Sequence, residues 1–164
     1  FDTRKGFYLE TFLERSFRDL GASFAYTKVE ADLRTFHDLG HRLVLANNLF
    51  YTQMFDEVPF FAMPYLSSSR RGRGFADRRF IDRTIMNVQS ELRFPLYWRF
   101  EGAVMGSAGF VGNGPKDFTT NDIKWAYGFG IRFIVNERER NKLRFDFGFT
   151  DEDFNFYITA NEAF

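Results

Sequence analysis

Apolar and polar residues alternate along most of this chain. Between Ile123 and Val135 the odd positions read Ile123, Trp125, Tyr127, Phe129, Ile131, Phe133 and Val135. The even ones read Lys124, Ala126, Gly128, Gly130 and Arg132, with Ile134 the exception. Leu143, Phe145, Phe147 and Phe149 alternate with Lys142, Arg144, Asp146 and Gly148. Phe154, Phe156, Ile158 and Ala160 alternate with Asn155, Tyr157, Thr159 and Asn161. A period of two marks a strand with unlike faces. Looser versions of the pattern cover the first two-thirds of the chain. Ala25, Thr27, Val29, Ala31 and Leu33 oppose Lys28, Glu30, Asp32 and Arg34, and Met86, Val88, Leu92 and Phe94 oppose Asn87, Gln89, Glu91 and Arg93.

The pattern predicts eight strands, over 6–17, 22–36, 41–52, 85–95, 97–111, 122–135, 141–150 and 153–163. Turn signals stand between them at Asp19-Leu20-Gly21, Asp38-Leu39-Gly40, Gly112-Asn113-Gly114-Pro115, Asn136 to Arg140 and Asp151-Glu152. No segment keeps a helical period, and no linker divides the chain. The expected fold is all-β, one domain over residues 1–164, with the strands in an eight-stranded antiparallel barrel. Segment 53–84 is far too long for a hairpin loop.

Composition gives the alternation a direction. The chain has 164 residues, of which 24 are Phe, 7 Tyr and 2 Trp, yet its mean hydropathy is only −0.34. Its 22 Lys and Arg balance 22 Asp and Glu, which argues against a generally basic nucleic-acid binder. The absence of Cys removes disulfide scaffolds and Cys-ligated metal sites. The longest apolar run, Val58 to Leu66, is broken by Pro59 and Pro64 and falls far short of the ~18 residues of a spanning helix. No signal peptide is legible, so Phe1 is expected to be a mature or trimmed start.

The polar faces carry both signs: Glu10, Glu14, Glu30, Asp32, Glu91, Glu101 and Asp146 against Lys28, Arg34, Arg93, Arg99, Lys124, Arg132, Lys142 and Arg144. In a soluble barrel or β-sandwich these charges face water and the aromatic rows fill the core. In a transmembrane barrel the rows meet lipid and the charges line the lumen. Rows such as Trp125, Tyr127, Phe129 and Phe145, Phe147, Phe149 would overfill a narrow eight-stranded interior. Lipid sets no such volume limit, and strands of about 10 residues match the ~9–11 that a tilted crossing needs. The transmembrane arrangement is therefore favoured.

The most specific stretch is Val58 to Arg83, VPFFAMPYLSSSRRGRGFADRRFIDR. Its Arg73-Gly74-Phe75, preceded by Gly72 and a Pro-Tyr-Leu-Ser run, resembles the sixth-loop signature of the Omp85 superfamily of outer-membrane assembly and translocation barrels. Arg78-Arg79-Phe80, the strand Glu91-Leu92-Arg93-Phe94-Pro95-Leu96 and the ending Phe156 to Phe164 fit the same resemblance. The family's sixteen-stranded barrel has this loop between its eleventh and twelfth strands, so the chain resembles the C-terminal half, without the periplasmic POTRA domains. The resemblance implies a loop tucked into the lumen through Arg73, with Glu91 as its partner. It also makes Phe156, Ile158 and Phe164 a C-terminal assembly signal. The family pattern has a hydrophobic residue where Gly72 stands. Where some members carry an Asp, this chain aligns Ser107.

What this implies is a non-enzymatic protein of the bacterial outer membrane that assists insertion or translocation of other outer-membrane proteins. The alternative is a closed structural barrel or narrow pore. Expected partners are the lipid bilayer, lipopolysaccharide, client outer-membrane proteins and a second copy in a homodimer, with no nucleic acid and no cofactor. His37 and His41 read as rim residues rather than a metal pair. Ser67, Ser68 and Ser69 read as a flexible loop element with no His–Asp constellation to activate them.

Overall fold

The computed structural model describes residues 3–67, 70–136, 141–160 and 162–164. The chain forms one eight-stranded antiparallel sheet: β1 (Gly6–Arg15), β2 (Tyr26–Gly40), β3 (Leu43–Asp56), β4 (Thr84–Tyr97), β5 (Phe100–Gly112), β6 (Lys124–Asn136), β7 (Asn141–Phe149) and β8 (Phe154–Ala160). Each strand pairs with its sequence neighbours, in the order β1 to β8. The helical content of the described residues is four short 3-10 turns.

The period-two reading places the strands, and tight turns set their ends. β2 runs past the expected Asp38–Gly40 turn to a two-residue turn at His41-Arg42, where both residues have positive φ (50° and 63°). That is the sign of φ a two-residue hairpin needs to follow strand twist. A second tight turn lies at Trp98-Arg99. Of the expected Asn136–Arg140 turn, residues 137–140 lie outside the described residues. The tight turns at His41-Arg42 and Trp98-Arg99, the start of β1 and the end of β8 fall at one end of the sheet, and the short Thr150–Asp153 turn falls at the opposite end. The longer connections, Ser16–Ala25, residues 57–83 and residues 113–123, fall at that opposite end as well.

The expected closed barrel is corrected in one respect. Among the described residues β1 and β8 are the ends of the sheet and do not pair with each other. The 57–83 connection supplies the physical reason, because it lies against the inner face and touches β2, β4, β6, β7 and β8. A closed eight-stranded barrel has room for side chains or one small ligand. An arc that holds a backbone segment as well must be wider than eight strands can close.

Burial follows the parity of the strands and inverts the soluble rule. Inward residues such as Asn48, Gln89, Glu91, Arg132, Arg144 and Asp146 are buried. Outward residues such as Trp125 (65% exposed), Tyr127 and Phe129 are bare. The outward rings pack on one another across strands, as in Phe129–Phe147 (5.0 Å between centroids) and Phe147–Phe156 (4.9 Å). They form a continuous aromatic surface. The apolar cluster inside is small, made of Leu66, Phe75, Ile85 and Ala126 with Phe80 and Val111 against it.

Candidate functional site

The inner wall is cut away where the loop meets it. Gly109 on β5, Ala126 on β6 and Gly148 on β7 face inward. A Cβ at Gly148 would stand 2.6 Å from the Gly74 nitrogen, and one at Gly109 would stand 2.5 Å from a Leu66 methyl. The wall thus carries no side chain at the points where the loop backbone and Leu66 press on it. On the loop side, Gly72 (φ 59°) and Gly74 (φ 115°) adopt backbone angles that disfavour L side chains, and they bracket Arg73. Ser67 Oγ donates to the Phe75 carbonyl at 2.9 Å, and the Leu66 amide donates to the Phe80 carbonyl at 3.0 Å, closing the loop on itself. Ser68 and Ser69 lie outside the described residues.

This bend aims Arg73 at two carboxylates. Its guanidinium donates to Asp146 Oδ2 on β7 at 2.7 Å and to Glu91 on β4. Arg73 is 2% exposed, and Glu91 and Asp146 are both at 0%. Glu91 also accepts from Arg93 (2.8 Å) and Arg132 (3.0 Å). Asp146 lies 2.9 Å from Arg144 and 3.0 Å from Arg132. Burial works against the Arg73 charge, but Glu91 and Asp146 outweigh it and hold the guanidinium pKa above its ordinary value. Four arginines around two carboxylates leave this centre with an excess of positive charge.

Glu162 supplies part of the balance. It lies 3.3 Å from Lys142, 3.5 Å from Arg132 and 3.6 Å from Arg93. This changes the reading of the chain end. Continued alternation to residue 163 would put Glu162 and Phe164 on the outer face with Phe156 and Ile158. Instead β8 stops at Ala160, and the last residues turn inward. Asn161 lies outside the described residues. A carboxylate among the outward rings of β8 would have no cationic partner, whereas three cations stand on the inner wall. Phe164 lies with its ring 5.7 Å from the Arg93 guanidinium and its backbone oxygen 3.3 Å from Arg93 Nη2. Phe156 and Ile158 face outward and are exposed.

Other loop residues reach both flanks of the sheet. Arg71 pairs with Asp32 on β2 at 2.8 Å and stacks on Phe50. Asn155 on β8 donates to the Gly74 carbonyl at 2.8 Å. Arg79 pairs with Asp153 (2.6 Å) and Glu152 in the β7–β8 turn. Phe75 drops into the small apolar cluster and meets Phe80 edge-on. Ser107, aligned with the family's acidic position, is buried opposite Gln89, one inward rung away from Glu91. Asp146 stands on a different strand and supplies the second carboxylate to Arg73. The sequence reading counted Asp146 among the lumen acids without linking it to the loop. The inward glycines beside it, Gly130 and Gly148, were the available signal.

The chain's likeness to known proteins agrees with this geometry. The family model described as the Omp85 superfamily domain matches residues 1–164. None of the curated proteins matches the chain.

Proposed function

Because the chain belongs to the Omp85 superfamily, we propose that it spans the bacterial outer membrane and assists insertion or translocation of other outer-membrane proteins. The observation that carries this reading is the signature loop pinned inside the sheet by Arg73 to Glu91 and Asp146, with β8 not paired to β1 among the described residues. An unpaired edge presents a row of backbone donors and acceptors, which is a template for an incoming strand. A client strand that pairs there satisfies its own backbone before it meets lipid, where unpaired groups are costly.

The membrane reading rests on the inverted burial. Charges sit inside, and a belt of exposed rings sits outside. Aromatics cluster near both ends of the sheet, with Tyr97, Trp98 and Phe100 at the short turns and Trp125, Tyr127 and Phe154 toward the loops. Such girdles belong to outer-membrane barrels. The function needs no enzymatic chemistry, because strand exchange breaks no covalent bond.

Liposomes containing the purified protein are expected to accelerate insertion of an unfolded client barrel, read as client protected from added protease. Insertion no faster than in empty liposomes would remove the assembly role. Ion leak without insertion would favour the second reading, a structural barrel or narrow pore. That reading is supported by the loop and Glu162, which fill much of the inner face.

A further inference from the structure

We propose that the seat between the 57–83 loop and the inner wall is wet: a file of ordered water molecules runs from a cavity under the loop, past Gln89, to the Arg73 guanidinium. Three observations carry it.

The first is unmet hydrogen-bonding capacity gathered in one place. Gln89 is 1% exposed, and neither its Oε1 nor its Nε2 has a partner among the described residues. Its neighbours on the same inward rung are Asn48 on β3 and Ser107 on β5. Asn48 Oδ1 and Ser107 Oγ are buried and unpartnered too. One inward step toward the loop end of β4, Asn87 Oδ1 is in the same condition. One step the other way is Glu91, where the guanidinium of Arg73 arrives with its Nε unpartnered. Unpaired buried amides are costly, and native interiors pair nearly all of them.

The second is the orientation of the amides. Asn48 Nδ2 is committed to Asp32 (2.5 Å) and the Leu33 carbonyl (3.3 Å), and Asn87 Nδ2 to the Ala108 carbonyl (3.5 Å). Both residues therefore turn a carbonyl oxygen into the seat, and neither can flip to pair with the other. Gln89, between them, pairs with neither. Water donates and accepts, so it closes a set of bare oxygens and bare N–H groups that the side chains leave open.

The third is room and access. A cavity of about 200 Å3 lies between the loop residues Tyr65, Leu66 and Ser67 and the wall residues Phe50 and Asn87. At roughly 30 Å3 per molecule in the liquid, several waters fit. The Lys28–Glu30 pair also lines this cavity, and its side chains are 24% and 26% exposed, so bulk water enters there. From Asn87 to Glu91 the inward face of β4 covers about 13 Å, which about four hydrogen-bonded waters span.

A wet seat gives the loop a particular hold. When the loop lifts, the amides exchange ordered water for bulk water and no dry pairing is broken. The grip then resides in the Arg73 ties and the glycine fit.

None of this requires client insertion or a bilayer, so the test reads hydration alone. The full chain is folded in detergent micelles and observed by side-chain NMR with isotope-labelled amides. Magnetisation transfer from water is expected at the Asn48, Asn87 and Gln89 side chains, with exposed Asn113 as the reference for surface water. Gln89→Leu interrupts the file. Exchange of the Arg73 Nε proton with water is expected to slow about tenfold in it, while the Asn87 signal stays. Where Gln89→Leu does not fold, Gln89→Met, which keeps the side-chain length, takes its place. Absence of water transfer to Gln89 in the unsubstituted protein would overturn the proposal. So would a Gln89 amide bonded directly to Asn48 or Ser107, or Arg73 Nε exchange unaltered by the substitution.

Discussion

Arg73 and Asp146 are 73 positions apart in sequence and joined at 2.7 Å, with both side chains buried. The contact fixes a loop to the opposite wall of the sheet. Removing Arg73 takes away the loop's two charged hydrogen bonds, although Glu91 keeps Arg93 and Arg132 and Asp146 keeps Arg132 and Arg144. Arg73→Ala is expected to cost about 2–4 kcal/mol and to free the loop. Limited proteolysis between residues 70 and 83 should become fast, and the unfolding midpoint in urea should fall. Arg73→Lys keeps the charge but loses the fork that spans Glu91 and Asp146, so it should lie between Ala and wild type. Unchanged protease sensitivity in Arg73→Ala would refute docking through this residue.

Shape can be tested apart from charge. Gly148→Ala puts a methyl where the Gly74 backbone lies, and no charge changes. Overpacking of this kind costs about 1–3 kcal/mol, and here it should expose the loop to protease. Gly106 is the control, because a Cβ there meets nothing within 4 Å. Gly106→Ala should stay within about 0.5 kcal/mol of wild type. Equal effects of the two would mean that the glycine seat is not what holds the loop.

Glu162 answers for the chain end. Glu162→Gln withdraws a carboxylate from Lys142, Arg132 and Arg93. A loss of about 1–3 kcal/mol is expected, together with faster trimming of the last residues by carboxypeptidase. Carboxypeptidase rates equal to wild type would show that the tail is held by something else.

The outer belt distinguishes lipid from water. Phe129 is outward and 46% exposed in mid-strand. Phe129→Arg should destabilise the protein in bilayers by about 2–4 kcal/mol, the cost of a cation at mid-depth. In a soluble sheet an exposed arginine would be nearly neutral. Folding titrations in phospholipid vesicles measure the difference, and a neutral result would remove the membrane reading.

The strands were legible because parity is a local property. Trp125, Tyr127 and Phe129 against Ala126, Gly128 and Gly130 give both the element and its two faces. The turn at His41-Arg42 was not legible, since Arg42 is not a customary positive-φ residue and Asp38-Leu39-Gly40 carried the stronger local signal. Parity also put Glu91 and Asp146 on inner faces. It could not say that β4 and β7 come within one guanidinium of each other, which depends on the curvature of the whole sheet. Nor could it foresee the inward turn after Ala160, where attraction between Glu162 and three distant cations overrides the alternation. Closure depends on how much space the 57–83 segment takes, and strand counting does not measure volume.

The double grip of Arg73 has a mechanical consequence. Glu91 belongs to β4 and Asp146 to β7, so one side chain ties two strands that are not neighbours. It acts as a chord across an arc and sets the radius to which the intervening strands bend. The spacing of the distant β1 and β8 rims is then governed from the middle of the sheet, by a tie only one residue long.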